Sequence, residues 1–210
     1  MFQDRIEAGL LLAKQLRKYK NDPGIVLAVP RGGVPVAYVV AKELGFPVEL
    51  ILTKKIGHPN NREYAIGAAS LTDFFVILHE DIPLDYIETE VKKIRQRLKE
   101  MYGSFISHTT PEKLEGKTVI VIDDGAATGN TLLSTVHVLR KSKPRKIVIA
   151  IPVASQSAVD KLSQVADNVV VLLVPHRFYG VGAFYKSFEQ VTDEEVQLYL
   201  DKLNELKKAG

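Results

Sequence analysis

Short apolar segments alternate with amphipathic segments along most of this 210-residue chain. Apolar runs rich in β-branched residues predict strands at residues 25–29, 48–53, 117–122, 146–153 and 169–174. Apolar positions spaced three or four apart predict helices over residues 1–20, 34–44, 84–102, 131–141 and 157–165, with a helical tail from Thr192. This alternation is typical of an α/β protein with a central, mainly parallel sheet that helices cover on both faces.

The middle of the chain departs from this alternation. Residues 66–70 and 74–78 predict two strands that pair around Thr72 and Asp73. The segment before them, KKIGHPNNREY at residues 54–64, is polar and rich in turn-forming residues, so it predicts a mobile loop. The length and an apolar fraction of 46% suit a single domain over residues 1–210.

Residues 119–131, VIVIDDGAATGNT, carry the clearest chemical signal. A buried strand leads into Asp123 and Asp124, and a proline-free loop of small residues then precedes a helix. Every residue of such a loop offers a backbone N–H to an anion, and the helix adds the positive end of its dipole. Two carboxylates repel phosphate but suit sugar hydroxyls or Mg²⁺. The segment therefore predicts a ribose 5-phosphate site, although an acid pair that merely caps a helix is an alternative.

This segment resembles the phosphoribosyl-pyrophosphate (PRPP) motif of type I phosphoribosyltransferases, including bacterial proteins known by their phosphoribosyltransferase domain. The resemblance implies the type I fold, with a small hood subdomain around residues 174–190 to which the N-terminal helix is a candidate contributor. It also implies that Asp123 and Asp124 contact the ribose and, through PRPP, help to place Mg²⁺. The implied ligands of the 5-phosphate are Gly125, Ala126, Ala127, Thr128, Gly129, Asn130 and Thr131.

A second loop, within VPRGGVPVA at residues 29–37, resembles the pyrophosphate loop of the same family. Arg31 offers a fixed charge and a fork of donors, and Gly32 and Gly33 are expected to expose N–H groups. The family loop often contains a cis peptide bond, so we expect one between Pro30 and Arg31. The alternative is an ordinary turn that carries a surface arginine. Because both loops follow strands of a parallel sheet, they are expected on the same sheet edge.

Two further segments match parts of the family. Residues 54–64 resemble its flexible catalytic loop, which would exclude water and bring Lys54 and Lys55 to the departing pyrophosphate; a solvated basic loop is the alternative. The hood would stack a nucleobase on its aromatic residues, and a packed aromatic cluster is the alternative there. The candidate base-binding residues are Phe178, Tyr179, Phe184 and Tyr185.

Two departures from the family pattern concern the acceptor. Hypoxanthine-guanine enzymes have an acidic residue where this chain has Lys186 and Ser187, which weakens the case for guanine. They also have an aspartate, proposed as the general base, where this chain has Ala127. Adenine and orotate enzymes have alanine at that position, so a transferase is compatible with it, but the motif identifies no base.

Composition excludes several other classes. The 28 basic and 25 acidic residues give a net charge of +3, too small to indicate nucleic-acid binding. The absence of cysteine excludes disulfides, thiolate metal sites and a cysteine nucleophile. Charged residues near the N-terminus argue against a signal peptide, and no apolar run is long enough to span a membrane. We therefore expect a cytoplasmic protein.

The expected reaction is transfer of ribose 5-phosphate from PRPP to a nitrogen nucleophile, a nucleobase with purine favoured, with release of pyrophosphate. The family implies Mg²⁺ as cofactor and a homodimer. The main alternative is a regulator of the same fold that senses PRPP without turnover. An Mg²⁺-dependent phosphatase is a weaker alternative, because it would need a second acid two residues after a nucleophilic aspartate, and Gly125 occupies the residue after the acid pair.

Overall fold

The computed structural model describes residues 1–77, 82–106 and 112–208. The helices are α1 (Arg5–Leu16), α2 (Gly33–Leu44), α3 (Leu84–Ile106), α4 (Asn130–Arg140), α5 (Gln156–Ser163) and α6 (Asp193–Lys208). The strands are β1 (Gly24–Ala28), β2 (Val48–Leu50), β3 (Lys54–His58), β4 (Asn61–Ala69), β5 (Phe74–Val76), β6 (Thr118–Ile122), β7 (Lys146–Val153) and β8 (Asn168–Leu173). Short 3₁₀ turns lie at Arg17–Tyr19 and Val181–Phe184.

The main sheet has five parallel strands in the order β2-β1-β6-β7-β8, which confirms the predicted architecture. Alternate residues of β6 point to opposite faces: Ile120 and Ile122 pack toward α1, α2 and α6, whereas Val119 and Val121 pack toward α4 and α5. The chain leaves β1 toward one edge of the sheet and leaves β6 toward the other. The crevice beyond the carboxyl ends of β1 and β6 is therefore a topological switch point, where α/β proteins bind ligands.

A second sheet, β3-β4-β5, is antiparallel and packs on α3. Its β4–β5 pair matches the two strands predicted around Thr72 and Asp73, with Gly67 opposite Val76; the last residue of that prediction, Leu78, lies outside the described residues. Ile56 and Ile66 are fully buried between the sheet and α3. The Tyr86 hydroxyl of α3 donates to the Gly57 carbonyl at 2.8 Å and fixes β3 to the helix.

Residues 54–64 form regular structure where the sequence predicted a loop without strands. These residues form most of the hairpin β3–β4, and the turn formers Pro59 and Asn60 only reverse the chain between its strands. The polar side chains suggested a loop, but strand preference depends on packing more than on local composition. Here the buried Ile56 and the pairing with β4 hold the segment in regular structure.

The first helix is also shorter than predicted. It starts at Arg5 because the Asp4 carboxylate caps it, accepting from the Glu7 N–H at 2.8 Å. Phe2, which fits the helical spacing, instead bonds to the hood through Phe184 and Lys186, each at 2.8 Å. No helix within the described ranges is both long enough and apolar enough to cross a membrane.

Candidate active site

The two predicted loops meet at the switch point. The Val29 N–H donates to the Ile122 carbonyl at 2.8 Å, and the peptide bond between Pro30 and Arg31 is cis, as predicted. A side chain at Gly32 would place its Cβ only 2.0 Å from Asp124 Oδ2, and one at Gly33 would lie 2.5 Å from the Ile122 carbonyl oxygen. The loop therefore needs glycine for close approach to the acidic strand end.

Gly33 differs in one respect from its predicted role. Its N–H donates to the Val29 carbonyl at 3.0 Å as α2 begins, so this group is not exposed for a ligand. The glycine pair has negative φ values, so steric room rather than an unusual backbone conformation explains it. Arg31 lies at the surface, with Nη1 3.5 Å from the Asp193 carboxylate of α6.

Asp123 and Asp124 lie side by side at the end of β6, and the Asp124 N–H donates to Asp123 Oδ1 at 2.9 Å. Burial and the neighbouring Asp124 carboxylate raise the pKa of Asp123 well above its usual range. Burial also raises the pKa of Asp124, and the nearby Arg5 opposes part of that increase. Two adjacent carboxylates held in this way favour a ligand that brings hydroxyl donors or positive charge.

Arg5 is a component of the site that the sequence did not identify. Its Nε and Nη2 lie 2.9 and 2.8 Å from Asp124 Oδ2, and its Nη1 donates to the Glu189 carbonyl at 2.9 Å. The guanidinium lies 3.8 Å above the centre of the Phe188 ring. Residue 5 is more than 100 positions from the acidic pair in the sequence, and no local motif reports such a contact.

The phosphate-loop candidate begins in an anchored segment. Ala126 donates to the Val153 carbonyl at 2.9 Å and accepts from Ser155 at 3.0 Å, which fixes the start of the loop to the end of β7. Beyond it, the backbone N–H groups of Ala127, Thr128, Gly129 and Thr131 donate to no acceptor within residues 1–77, 82–106 and 112–208. Gly129 has a φ of +71°, and α4 starts at the next residue. These free donors next to a helix N-terminus are suited to an anion.

Helix α5 supplies a second residue that the sequence did not identify. Lys161 Nζ lies 3.2 Å from the Thr128 carbonyl and 3.3 Å from Asn130 Oδ1. Ser155, the N-cap of the same helix, donates its hydroxyl to the Ala127 carbonyl at 2.6 Å. The Lys161 ammonium group therefore contacts the phosphate-loop candidate, although Lys161 lies about thirty residues after the loop in the sequence.

The predicted base-binding aromatics are not equivalent. Tyr185 is only 5% exposed, its ring packs on Phe2 and Phe188, and its hydroxyl donates to the Asp124 carbonyl at 2.6 Å. Burial raises the pKa of this phenol. Its predicted role of stacking a base was therefore wrong, because both its ring and its hydroxyl are already engaged. Phe178 and Phe184 pack on each other at 5.6 Å, and Tyr179 is 77% exposed.

A cavity of about 480 Å³ lies between the hood and the acidic pair. Its apolar side is formed by Val181, Phe188 and Val191, and its polar side includes Gln190. It is completed by Arg5, Arg31, Gly32 and Asp124. The hood thus meets the switch point through the residues that follow Gly180, which the aromatic pattern alone did not single out.

Lys54 and Lys55 start β3, where strand alternation puts Lys54 on the side of buried Ile56 and Lys55 on the opposite, exposed side. The preceding Thr53 has its Oγ1 2.9 Å from Thr135 Oγ1 of α4. Lys54 forms no ion pair with any residue in the described part of the chain. Both lysines therefore lie on a strand of the hairpin, and their movement over a ligand stays a prediction.

No group of three or more potential metal ligands occurs within the described ranges. The acidic pair nevertheless offers hard oxygen donors, one of which is already bound to Arg5. Such a donor set fits Mg²⁺ that is held mostly by the phosphates of a ligand and by water, the usual arrangement for this ion.

Comparisons with known proteins agree with this geometry. Residues 5–178 match the model of the phosphoribosyl transferase domain family. Over 208 residues the chain is 34% identical to a Mycobacterium tuberculosis (strain H37Rv) protein that is provisionally named a phosphoribosyl transferase, a match that covers 96% of this chain and 47% of that protein. The chain thus spans about half the length of the curated relatives it matches.

Solved structures share the fold. The crystal structure of TT1426 from Thermus thermophilus has a TM-score of 0.88 and 36% identity, with 96% of this chain and 98% of that chain covered. A hypothetical protein from Neisseria gonorrhoeae, solved with bound ppGpp, has a TM-score of 0.53 and 16% identity over 98% of this chain and 92% of that chain. The sequence motif, the fold and these matches together establish that the chain belongs to the phosphoribosyl transferase domain family.

Proposed function

We propose that this chain transfers ribose 5-phosphate from PRPP to a nitrogen nucleophile, a nucleobase with purine favoured, and releases pyrophosphate. The observation that carries the proposal is the meeting of three features at one switch point: the Asp123–Asp124 pair, the free N–H groups of Ala127, Thr128, Gly129 and Thr131, and the loop that carries Arg31 and Gly32. Membership of the phosphoribosyl transferase domain family supports it.

In this proposal each part of PRPP meets a group of matching chemistry. The N–H groups of the phosphate loop, with the hydroxyls of Thr128 and Thr131, bind the 5-phosphate. Asp123 and Asp124 accept hydrogen bonds from the ribose hydroxyls. Arg31 and the N–H of Gly32 bind the pyrophosphate, and Lys54 or Lys55 adds positive charge as it departs.

Mg²⁺ bound to PRPP would neutralise charge on the pyrophosphate as it leaves. Asp123 and Asp124 are the protein residues that would contact this ion or its water shell. The chain's own contribution to the rate is to hold the sugar between the acidic pair and the phosphate loop and to stabilise charge that develops as the glycosidic bond breaks. The cavity next to Asp124 receives the acceptor, with Val181 and Phe188 against its ring and Gln190 toward its polar edge.

A PRPP sensor without turnover is the second candidate, and one observation favours it. Ala127 provides no side chain that could accept a proton from the acceptor, at the loop position where some relatives of this family have an acid. A sensor needs only the ribose and phosphate subsites. A homodimer is proposed for either function.

The decisive experiment is to measure pyrophosphate release from Mg·PRPP over a panel of purine and pyrimidine bases, with Mg·PRPP binding measured by calorimetry in parallel. The transferase predicts release with one base or a few related bases. Saturable binding without release for any base would favour the sensor. Absence of PRPP binding would overturn both candidates.

A further inference from the structure

Arg5 joins parts of the molecule that are distant in sequence. Its guanidinium binds the Asp124 carboxylate, donates to the Glu189 carbonyl of the hood and stacks on Phe188. The side chain is only 11% exposed and forms part of the cavity wall. An arginine placed this way acts on the carboxylate and on the hood together.

The backbone fixes Arg5 from both sides. The Asp4 carboxylate caps the helix by accepting from the Glu7 N–H at 2.8 Å, and the Glu7 carboxylate accepts from the Gln3 N–H at 2.5 Å. The preceding residues are bonded to the hood, since Phe2 pairs with the backbone of residues 184–186 and the Gln3 carbonyl accepts from Ser187 at 2.9 Å. The guanidinium therefore has little freedom to leave the site.

The contact also restricts how Asp124 can present its carboxylate. Both Arg5 bonds converge on Oδ2, and Gly32 lies so close to the same oxygen that only a residue without Cβ fits. Oδ1 stays outside the ion pair. Because Asp123 is directly adjacent, a cation on Asp124 also offsets the repulsion between the two carboxylates.

We propose that Arg5 is a positioning residue for the ribose subsite: it holds the Asp124 carboxylate toward the sugar and ties that carboxylate to the hood. This inference rests on the proposed function, because it assumes that Asp124 binds ribose hydroxyls. It predicts that ligands with a ribose depend on Arg5, whereas inorganic pyrophosphate, which has no sugar, does not. A residue that only stabilised the fold would affect all ligands alike.

The test is calorimetric titration of the full chain with Mg·PRPP, ribose 5-phosphate and Mg·pyrophosphate. Arg5→Ala is expected to weaken binding of the two sugar ligands about tenfold, since it removes two charge-assisted bonds to Asp124, with pyrophosphate affinity unchanged. Arg5→Lys, which keeps the charge but not the fork, should recover part of the loss. Phe188→Leu removes only the ring under the guanidinium and should give a smaller loss for the same two ligands.

Lys14→Ala is the matched control, because it removes one positive charge from an exposed position of the same helix; its three affinities should equal those of the wild type. Wild-type affinity of Arg5→Ala for Mg·PRPP would overturn the inference, and so would an equal loss for all three ligands. If the unaltered chain bound no Mg·PRPP, the proposed function itself would fail, and the inference with it.

Discussion

The loop between β6 and α4 and the hairpin β3–β4 both lie against helix α4, but different forces hold them. In the hairpin, the two strands satisfy each other's backbone groups, and Ile56 and Ile66 are buried against α3. In the loop, the N–H groups of Ala127, Thr128, Gly129 and Thr131 find no acceptor among the residues described, and most side chains are small. The hairpin contributes stability, whereas the loop leaves unsatisfied the polar groups that a phosphate would satisfy.

Helix α4 connects the two regions. The buried Thr135 hydroxyl donates to the Thr131 carbonyl at 2.9 Å. Because a hydroxyl has only one proton, Thr53 must be the donor in the 2.9 Å contact between the Thr53 and Thr135 hydroxyls. The start of the hairpin thus supports the first turn of the helix behind the loop. Even so, we expect substitutions in the loop region to affect mainly ligand affinity, and substitutions in the hairpin to affect mainly the free energy of unfolding.

The largest effect is expected at the acidic strand end. Asp124→Asn should weaken Mg·PRPP binding roughly a thousandfold, about 4 kcal/mol, because it removes the charge that receives the ribose hydroxyls and leaves Arg5 without its counter-charge. Calorimetric titration measures this, and circular dichroism should show an intact fold. Asp160→Asn, an equal loss of charge at an exposed position of α5, is the control and should bind like the wild type. Unchanged affinity in Asp124→Asn would remove its assigned role.

A substitution in the hairpin should lower stability and leave the affinity for Mg·PRPP unchanged. Ile56→Ala is expected to lower the free energy of unfolding by about 3 kcal/mol, because it empties a fully buried position between β3 and α3. Chemical denaturation measures the loss. The fraction that remains folded should bind Mg·PRPP with wild-type affinity. A stability equal to that of the wild type would contradict the packing of Ile56 against α3 as the force that holds the hairpin.

The same contrast explains which parts of the fold can be read from the sequence. The parallel strands are buried on both faces, so β6 and β7 appear as continuous apolar runs that any strand criterion detects. Strand β3 has one fully buried side chain, Ile56, and owes its order to pairing with β4 and to packing on α3. That information is tertiary, and no window of residues around Lys54 contains it.

The residues of the site also differ in whether local sequence identifies them. The acidic pair and the phosphate loop are contiguous, and their chemistry is local: a strand end, small residues and a helix start. Arg5 and Lys161 reach the site from α1 and α5, so their roles depend on how the helices pack. The aromatic residues of the hood suggested a stacking platform, but only packing shows that Tyr185 is enclosed while Val181 and Phe188 face the cavity.

A pair of glycine variants separates backbone strain from ligand binding. Gly129 and Gly116 have nearly the same conformation, with φ values of +71° and +73°, so alanine at either should cost about 1 kcal/mol of stability. Only Gly129 lies in the phosphate loop, where a Cβ would also lie 3.2 Å from Ala158 Cβ, whereas nothing lies within 4 Å at Gly116. Gly129→Ala should therefore weaken Mg·PRPP binding roughly tenfold, about 1.4 kcal/mol, and Gly116→Ala should leave it unchanged. Equal affinities in the two variants would contradict the phosphate-loop assignment.

The smallest effect is expected at Lys161, whose ammonium group touches the loop from outside. Lys161→Ala should weaken Mg·PRPP binding about threefold, because an exposed charge near a phosphate is screened by solvent and salt. Since both bonds of the Lys161 ammonium group within the described residues go to the loop, the loss should be the same for ribose 5-phosphate, and it should shrink as ionic strength rises. Lys42→Ala, on the exposed surface of α2, removes the same charge away from the loop and should change neither affinity. A loss in Lys161→Ala that is independent of salt would show that the lysine acts through its bonds to Thr128 and Asn130 rather than through its charge. In that case α5 would be one of the elements that fix the conformation in which the loop binds phosphate.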